Sequence, residues 1–397
     1  MRMLRGLVTE HGQARRHEAR LLRAGNPALW TLLTAGRLLG PLVRLPRLGW
    51  VVTDPVLARR VLNDPAFSMV GEGGVGDLWG QLFGPEFASF FAGARHAELR
   101  SLARDLFTED SARLLVDRVQ GPHHARLRAR LAAGEEVDLA AVVRTTSAYT
   151  VADLLGVAVS DDDAALALFA SAERLAALAL GTQASTALAP EAIAKAGALV
   201  ESITGGVERA YRTGGPDTIL GRCRDLDLGL DLAKGLTTLL VIAGTETGAS
   251  SLTRTVALLH DTGQQHRLLA DPALTANAVR EGLRVTTPAP VIGRHIARDT
   301  ELAGRRLRRD GRVMMLTYVA DNKAGPFDIT RAYVPETRQL WFGAGRHLCL
   351  GAAVARVQLT RLLEALTADG RPWRVVSRAP ARQVLVPTYE SLRIRTA

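Results

Sequence analysis

From Leu230 to His260 the chain carries a nearly continuous helical pattern that is apolar on most sides: Leu236, Leu239, Leu240, Val241, Ile242 and Ala243, then Leu252, Val256, Leu258 and Leu259. A helix of that length without a consistently polar face has to run through a core rather than along a surface. Its centre is interrupted by Gly244-Thr245-Glu246-Thr247-Gly248, a polar break inside an otherwise apolar rod.

The surrounding sequence is mostly helical. Between His96 and about Ala210, apolar residues recur at helical spacing with few breakers, which predicts four or five amphipathic helices. One further helix ends near Arg284 and another runs from about Gly351 to Ala368. Trp50 to Thr53 reads as a short strand, and Asp54-Pro55 supplies an N-cap and a first-turn proline for a helix through Leu62. Short strands and turns are expected from Pro288 to Val319, with Gly304 and Asp310-Gly311 as turns, and strands again from Trp373 to Ile394. Residues 71 to 85, rich in glycine and without periodicity, are expected to form a long loop. The expected fold class is mainly α with small β-sheets (α+β), in a single domain over residues 1–397 whose first 45 or so residues form a peripheral segment.

Composition supports a globular chain: 47% of the 397 residues are hydrophobic and 23% charged, which excludes disorder and a coiled coil. The net charge of +10 is scattered, with no run of five or six like charges of the kind that marks a nucleic-acid binder. Arginine supplies almost all of it, beside Lys195, Lys234 and Lys323, so the excess reflects either a coding bias or a basic face for an acidic protein partner. Cys223 and Cys349 cannot build a disulfide framework, and their rarity fits a reducing cytosol. No secretory signal is evident, and the apolar stretch from Ala24 to Val52 is too interrupted by arginine, glycine and proline to span a bilayer. A soluble, cytoplasmic protein is expected.

The most specific feature is Phe342-Gly343-Ala344-Gly345-Arg346-His347-Leu348-Cys349-Leu350-Gly351, placed immediately before a helix. Glycines let backbone N–H groups approach a sulfur, and a following helix N-terminus adds positive potential, so the pattern suits a thiolate that ligates a metal. It resembles the haem-binding loop of cytochromes P450. The resemblance covers roughly residues 48 to 396 and implies that Cys349 is the axial ligand of haem b, with Phe342, Gly345 and Gly351 shaping its loop and the long helix crossing the haem. Cys223 has no such surroundings.

Other segments extend the likeness. Ala243-Gly244-Thr245-Glu246-Thr247 is similar to the family's oxygen-activation segment, in which small residues leave room beside bound dioxygen and the Glu246–Thr247 acid–alcohol pair delivers protons. Glu281 and Arg284 match its i, i+3 ion pair, a structural brace. His96, Arg100, Arg294 and His347 stand where relatives hold the haem propionates, which need cationic or hydrogen-bonding partners. Family position also suggests Leu78, Trp79, Leu239, Leu240, Val291 and Ile292 as substrate-pocket residues. Departures are Gly248 where many relatives carry a second threonine, Glu98 in place of a common arginine, and Asn322-Lys323-Ala324 opening a shortened segment before Phe342.

Gly71 to Gly76 formally fits Gly-x-Gly-x-x-Gly, but Gly80, Gly84 and Pro85 are expected to break the helix that a dinucleotide fold requires there. The resemblance instead implies a monooxygenase that hydroxylates or epoxidises an apolar or amphipathic small molecule, as in natural-product biosynthesis, using dioxygen. Electrons would come from a ferredoxin and its ferredoxin reductase. Two alternatives stay open: a haem-thiolate oxidase or peroxygenase that couples or rearranges its substrate, and a non-enzymatic helical binding protein.

Overall fold

The computed structural model describes residues 2–72, 74–178 and 188–397, with side chains from Gly12 onward. The N-terminal part contains α1 (Arg2–Gly25), α2 (Pro27–Gly36), the hairpin β1 (Leu42–Leu45) and β2 (Gly49–Val52), α3 (Pro55–Asn63), β3 (Phe67–Ser68) and α4 (Val75–Phe83). Next come α5 (Gly93–Ala103), α6 (Glu109–Ala132), β4 (Val137–Asp138), α7 (Leu139–Leu155), α8 (Asp162–Ala177), α9 (Pro190–Thr204), α10 (Val207–Thr213) and α11 (Ile219–Asp225). The long helix is α12 (Leu230–Asp261), followed by α13 (Gln265–Ala270) and α14 (Thr275–Thr286). Strands β5 (Ile292–Ile296), β6 (Thr300–Leu302), β7 (Arg305–Leu307) and β8 (Arg312–Met315) lead to α15 (Thr317–Asn322), α16 (Ala352–Thr367), β9 (Trp373–Pro380) and β10 (Tyr389–Thr396).

The expected α+β class holds. The largest sheet has the order β1-β2-β8-β5-β3, beside a three-stranded β4-β10-β9 sheet and the β6-β7 hairpin. At 32 residues, α12 is about 48 Å long. It packs against α7, α8, α14 and α16, so the helical bulk surrounds it as its apolar girth demands. The start of α3 follows its sequence signals: Asp54 caps the helix by accepting from the N–H groups of Val56 and Leu57, with Pro55 in the first turn.

Four expectations need correction. Residues 75–83 are helical, because Val75, Leu78, Trp79, Leu82 and Phe83 recur at helical spacing and Gly80 faces open space, where a missing side chain costs no packing. The helix stops only at Gly84, whose φ of 86° leaves the helical region, with Pro85 beyond. The dinucleotide reading fails for a different reason than its helix: β3 is two residues long and pairs antiparallel with β5 at the sheet edge, so among the described residues α4 does not join β3 to a parallel neighbour. Among the described residues, six helices, α5 to α10, touch the stretch expected to hold four or five; Gly205-Gly206 separates the last two.

The N-terminal segment is not peripheral. Leu22, Leu29 and Leu33 are buried against Val51, Met314 and Tyr318, while Leu21 joins the main core. Glu18 reaches the C-terminal half of α12, where it ion-pairs with the fully buried Arg254.

Candidate active site

The Cys349 loop is built by backbone geometry. Gly343 and Gly345 have φ values of 75° and 66°, and a Cβ at Gly345 would lie 2.8 Å from the Leu62 carbonyl oxygen of α3. Glycine at Gly345 therefore answers both a left-handed conformation and a close approach. The Cys349 N–H donates to the Phe342 carbonyl at 2.9 Å and the Leu348 N–H to that of Gly345 at 3.0 Å, closing the loop on itself. Arg100 of α5 donates to the Leu348 carbonyl at 2.8 Å and ties the loop to the opposite wall.

Cys349 is exposed, yet protein encloses it on every side, so its sulfur opens onto an internal space rather than bulk solvent. Burial pushes the thiol up; the Gly351 N–H, which donates to the sulfur, and the nearby Arg100 and Arg356 oppose this. The thiol is thus prepared by donors and cations and held back by desolvation, the balance that a cation bound at the sulfur would tip. Cys223 is fully buried and its thiol is pushed up to about 12 by desolvation, as befits an inert core residue.

A cationic cluster stands beside the sulfur. The rings of His96 and His347 are 4.5 Å apart, and burial, then Arg294, His96, Arg346 and Arg100, hold His347 down at about 3. Arg294, on β5, is buried, and desolvation followed by Arg346 lowers it to about 10. Its side-chain hydrogen bond runs to the adjacent Gly293 carbonyl. No carboxylate among the described residues pairs with Arg100, Arg294, His96 or His347. Buried cations without acids are costly unless an anion completes them. The donor set of one sulfur, two guanidiniums without acids and two imidazoles that can donate hydrogen bonds fits a haem with its iron and two propionates.

The segment expected to activate oxygen lies at the centre of α12. Ala243 is exposed between the buried Val241 and Thr245, so this face also opens onto an internal space. Gly244 does something other than the sequence suggested: a Cβ there would lie 2.7 Å from Val151 Cγ2, so the glycine lets α7 approach α12. Thr247 is partly exposed, and its hydroxyl donates to the Ala243 carbonyl at 2.6 Å. Glu246 is buried, and neither carboxylate oxygen has a hydrogen-bond partner among the described residues. Burial first, then Glu173, raises its carboxyl well above the ordinary value, against the pull of Arg144, so its surroundings favour the protonated form.

Glu281 and Arg284 form the expected pair on α14, buried and bidentate at 2.8 and 2.7 Å. Arg284 also donates to the carbonyls of Asp321, Gly325 and Pro326, and Glu281 accepts from Arg331 Nε at 3.2 Å and from the Asp328 N–H. The brace thus organises the segment between Asp321 and Arg331 leading to the Cys349 loop. Sequence reasoning missed Arg331, as well as Arg346 in the cationic cluster; nothing in the spacing marks either.

The suggested pocket residues divide. Trp79 is buried in an aromatic cluster with Phe83 and Phe87, at 5.6 and 6.0 Å between ring centroids, and Leu239 packs against that cluster. Leu78 and Leu240 are partly buried. Val291 packs against the N-terminal helices and Ile292 against the inner face of the large sheet, so neither joins the Trp79 cluster. Outside the Cys349 loop, a cleft of about 210 Å³ is lined by Arg59, Asn63, Arg338, Gln339, Gly345 and Leu348.

The family model for cytochrome P450 matches residues 256–367. A putative cytochrome P450, YjiB, of Bacillus subtilis is 30% identical over 164 residues, which is 40% of this chain and 41% of that protein. Cytochrome P450 105A3 of Streptomyces carbophilus is 28% identical over 372 residues, covering 88% of this chain and 84% of the relative. The structure of a mutant of P450 EryK in complex with erythromycin B superposes with a TM-score of 0.76 at 23% identity, over 93% of this chain and 96% of that one. Among the described residues, no helix is long and apolar enough to cross a membrane.

Proposed function

The chain belongs to the cytochrome P450 superfamily, and from that premise we propose that it is a haem-thiolate monooxygenase acting on an apolar or amphipathic small molecule. Residues 1–397 serve as one haem-binding unit, with Cys349 as the ligand of the iron of haem b. Arg100, Arg294, His96 and His347 hold the propionates, and the observation that carries this reading is that no carboxylate among the described residues pairs with them beside an enclosed sulfur. When bound, haem supplies the activation of dioxygen and the insertion of one of its atoms into substrate.

The chain's own residues do the rest. Glu246, whose protonated form burial favours, is next in sequence to Thr247, whose hydroxyl is tied to the carbonyl of the exposed Ala243, and the pair is read as the proton donor. The apolar cluster around Trp79, against which Leu239 packs, suits a substrate without fixed charge. The relative bound to erythromycin B supports a role in natural-product tailoring. Electrons come from a ferredoxin and its reductase, for which Arg59 and Arg338 beside the Cys349 loop offer a basic docking edge. A cytoplasmic setting agrees with two unpaired cysteines.

The experiment is spectroscopic. Reduced, carbon-monoxide-treated protein is expected to show the red-shifted absorbance of sulfur-ligated haem, and Cys349→Ser to abolish it. The same band persisting in the variant overturns the assignment.

A further inference from the structure

Thr287, at the end of α14, stands in a conformation that its own side chain disfavours. Its φ is 30° and its ψ 77°, in the left-handed region, although it is β-branched, buried and followed by Pro288. Such a residue persists only where its surroundings over-determine it. Its N–H donates to the Leu283 carbonyl at 3.1 Å. Its hydroxyl oxygen lies 2.6 Å from the Arg284 carbonyl oxygen and 3.1 Å from Asp321 Oδ2 on α15.

A hydroxyl has one proton to give. The carbonyl can only accept, so the shorter contact takes the Thr287 proton, and the contact with Oδ2 is a hydrogen bond only if Asp321 supplies the proton for it. The setting of Asp321 agrees. It is 0% exposed, and its Oδ1 has no hydrogen-bond partner among the described residues. The cations that face the carboxyl are Arg284 on α14 and Arg59 on α3. Arg284 gives its side-chain donors to Glu281 and to the main-chain carbonyls of Asp321, Gly325 and Pro326, while Arg59 donates to the Arg338 carbonyl. A sealed carboxylate with one oxygen unpaired is costly, whereas a neutral acid leaves only a carbonyl oxygen without a partner. Burial raises the Asp321 carboxyl well above the ordinary value, against Thr287, Arg284 and Arg59.

The turn at Thr287 opens the connector from the brace helix α14 to β5, and α15 grips that connector at several points. Asn322 Nδ2 donates to the Val285 carbonyl at 3.2 Å, Thr317 Oγ1 to that of Ala289 at 2.5 Å, and the Tyr318 N–H to that of Pro290 at 3.2 Å. Strand β8, which leads into α15, then pairs with β5 and sets Val313 opposite Arg294. The far end of the connector is therefore held by sheet pairing, and its near end by a strained residue that needs a hydrogen bond.

We propose that Asp321 is a positioning residue that works as a hydrogen-bond donor: its carboxyl O–H holds the Thr287 hydroxyl and so fixes the turn from which the connector runs to Arg294. The chain of donors is Asp321 to Thr287 to the Arg284 carbonyl, which ties the connector to the residue that also anchors the brace. The consequence for haem rests on the reading of Arg294 as a propionate partner; the donor role of Asp321 does not.

The test uses the full-length, haem-loaded protein near neutral pH. The infrared difference between the parent and Asp321→Asn is expected to show the loss of a protonated-carboxyl C=O band; loss of an ionised-carboxylate band instead overturns the proposal. Asp321→Asn, whose amide can donate in the same place, is expected to keep amide hydrogen exchange slow across residues 285–293 and the propionate-bending bands of the resonance Raman spectrum unmoved. Thr287→Val, which keeps the branched shape and removes only the hydroxyl, is expected to speed that exchange by about tenfold or more and to shift those bands. Fast exchange in Asp321→Asn, or unchanged exchange in Thr287→Val, overturns the positioning role. If Arg294→Met leaves the propionate bands where they were, the reading of Arg294 fails by itself, while the infrared band and the exchange rates still decide the role of Asp321.

Discussion

Arg294 drives the imidazole of His347 down: after burial, its guanidinium is the largest influence holding that ring at about 3, while Arg294 itself hydrogen-bonds only the carbonyl beside it among the described residues. The guanidinium thus keeps its neighbour a neutral imidazole, and no carboxylate among the described residues pairs with Arg294 itself. Arg294→Met should therefore act in opposite directions on the two forms. The haem-free protein should gain stability, on the order of 1 kcal/mol or more, because an uncompensated buried charge is removed. Haem affinity should fall, because a propionate loses its partner. Denaturant titration of the haem-free protein and haem titration check both signs; a destabilised haem-free variant with unchanged affinity contradicts the assignment.

Glu281 serves two guanidiniums, those of Arg284 and Arg331. Glu281→Ala leaves Arg284, 2% exposed, without its acid, and should cost about 3–5 kcal/mol. Urea unfolding measures this. Arg331→Ala should cost clearly less, since Arg331 is partly exposed and Glu281 keeps Arg284.

Stability should depend on pH through Glu246. Its carboxyl is raised well above 4.5 by burial, so above that value the unfolded chain releases a proton that the folded chain keeps. By linkage, folding stability then falls as pH rises from about 4.5 toward the folded-state value. Glu246→Gln removes this loss, so the variant should be more stable than the parent at pH 8 and nearly equal to it near pH 4.5. Unfolding curves at the two pH values decide it, and a gap that does not widen with pH rules the effect out.

Thr247→Ala removes the hydroxyl tied to the Ala243 carbonyl at 2.6 Å. Electron consumption should continue while product per electron drops several-fold, with lost electrons appearing as peroxide. Unchanged coupling removes Thr247 from the proton path.

Local features proved readable from the sequence and distant ones did not. The Cys349 loop is legible because its glycines, its turn and its sulfur lie within one decapeptide whose hydrogen bonds are mostly its own. The Glu281–Arg284 pair is legible for the same reason, being one helical turn wide. Arg331 reaches Glu281 only because the intervening chain folds back, which no spacing encodes. Residues 75–83 carry conflicting signals, and the apolar spacing of Val75, Leu78, Trp79, Leu82 and Phe83 outweighs one glycine that faces open space. Gly244 shows a subtler limit, since a small residue was expected there and only packing reveals that the neighbour it admits is Val151.

The bond between Glu18 and Arg254 sets an order of assembly. During synthesis the acid emerges long before the residue it must neutralise has been made, so the first helix has to stay unlocked until α12 is complete. Proteolytic clipping beyond Glu18 would remove the counter-ion and leave a guanidinium sealed on the C-terminal half of α12. Harm from a nicked amino end would then surface inside the long core helix, more than two hundred residues along the chain from the cut.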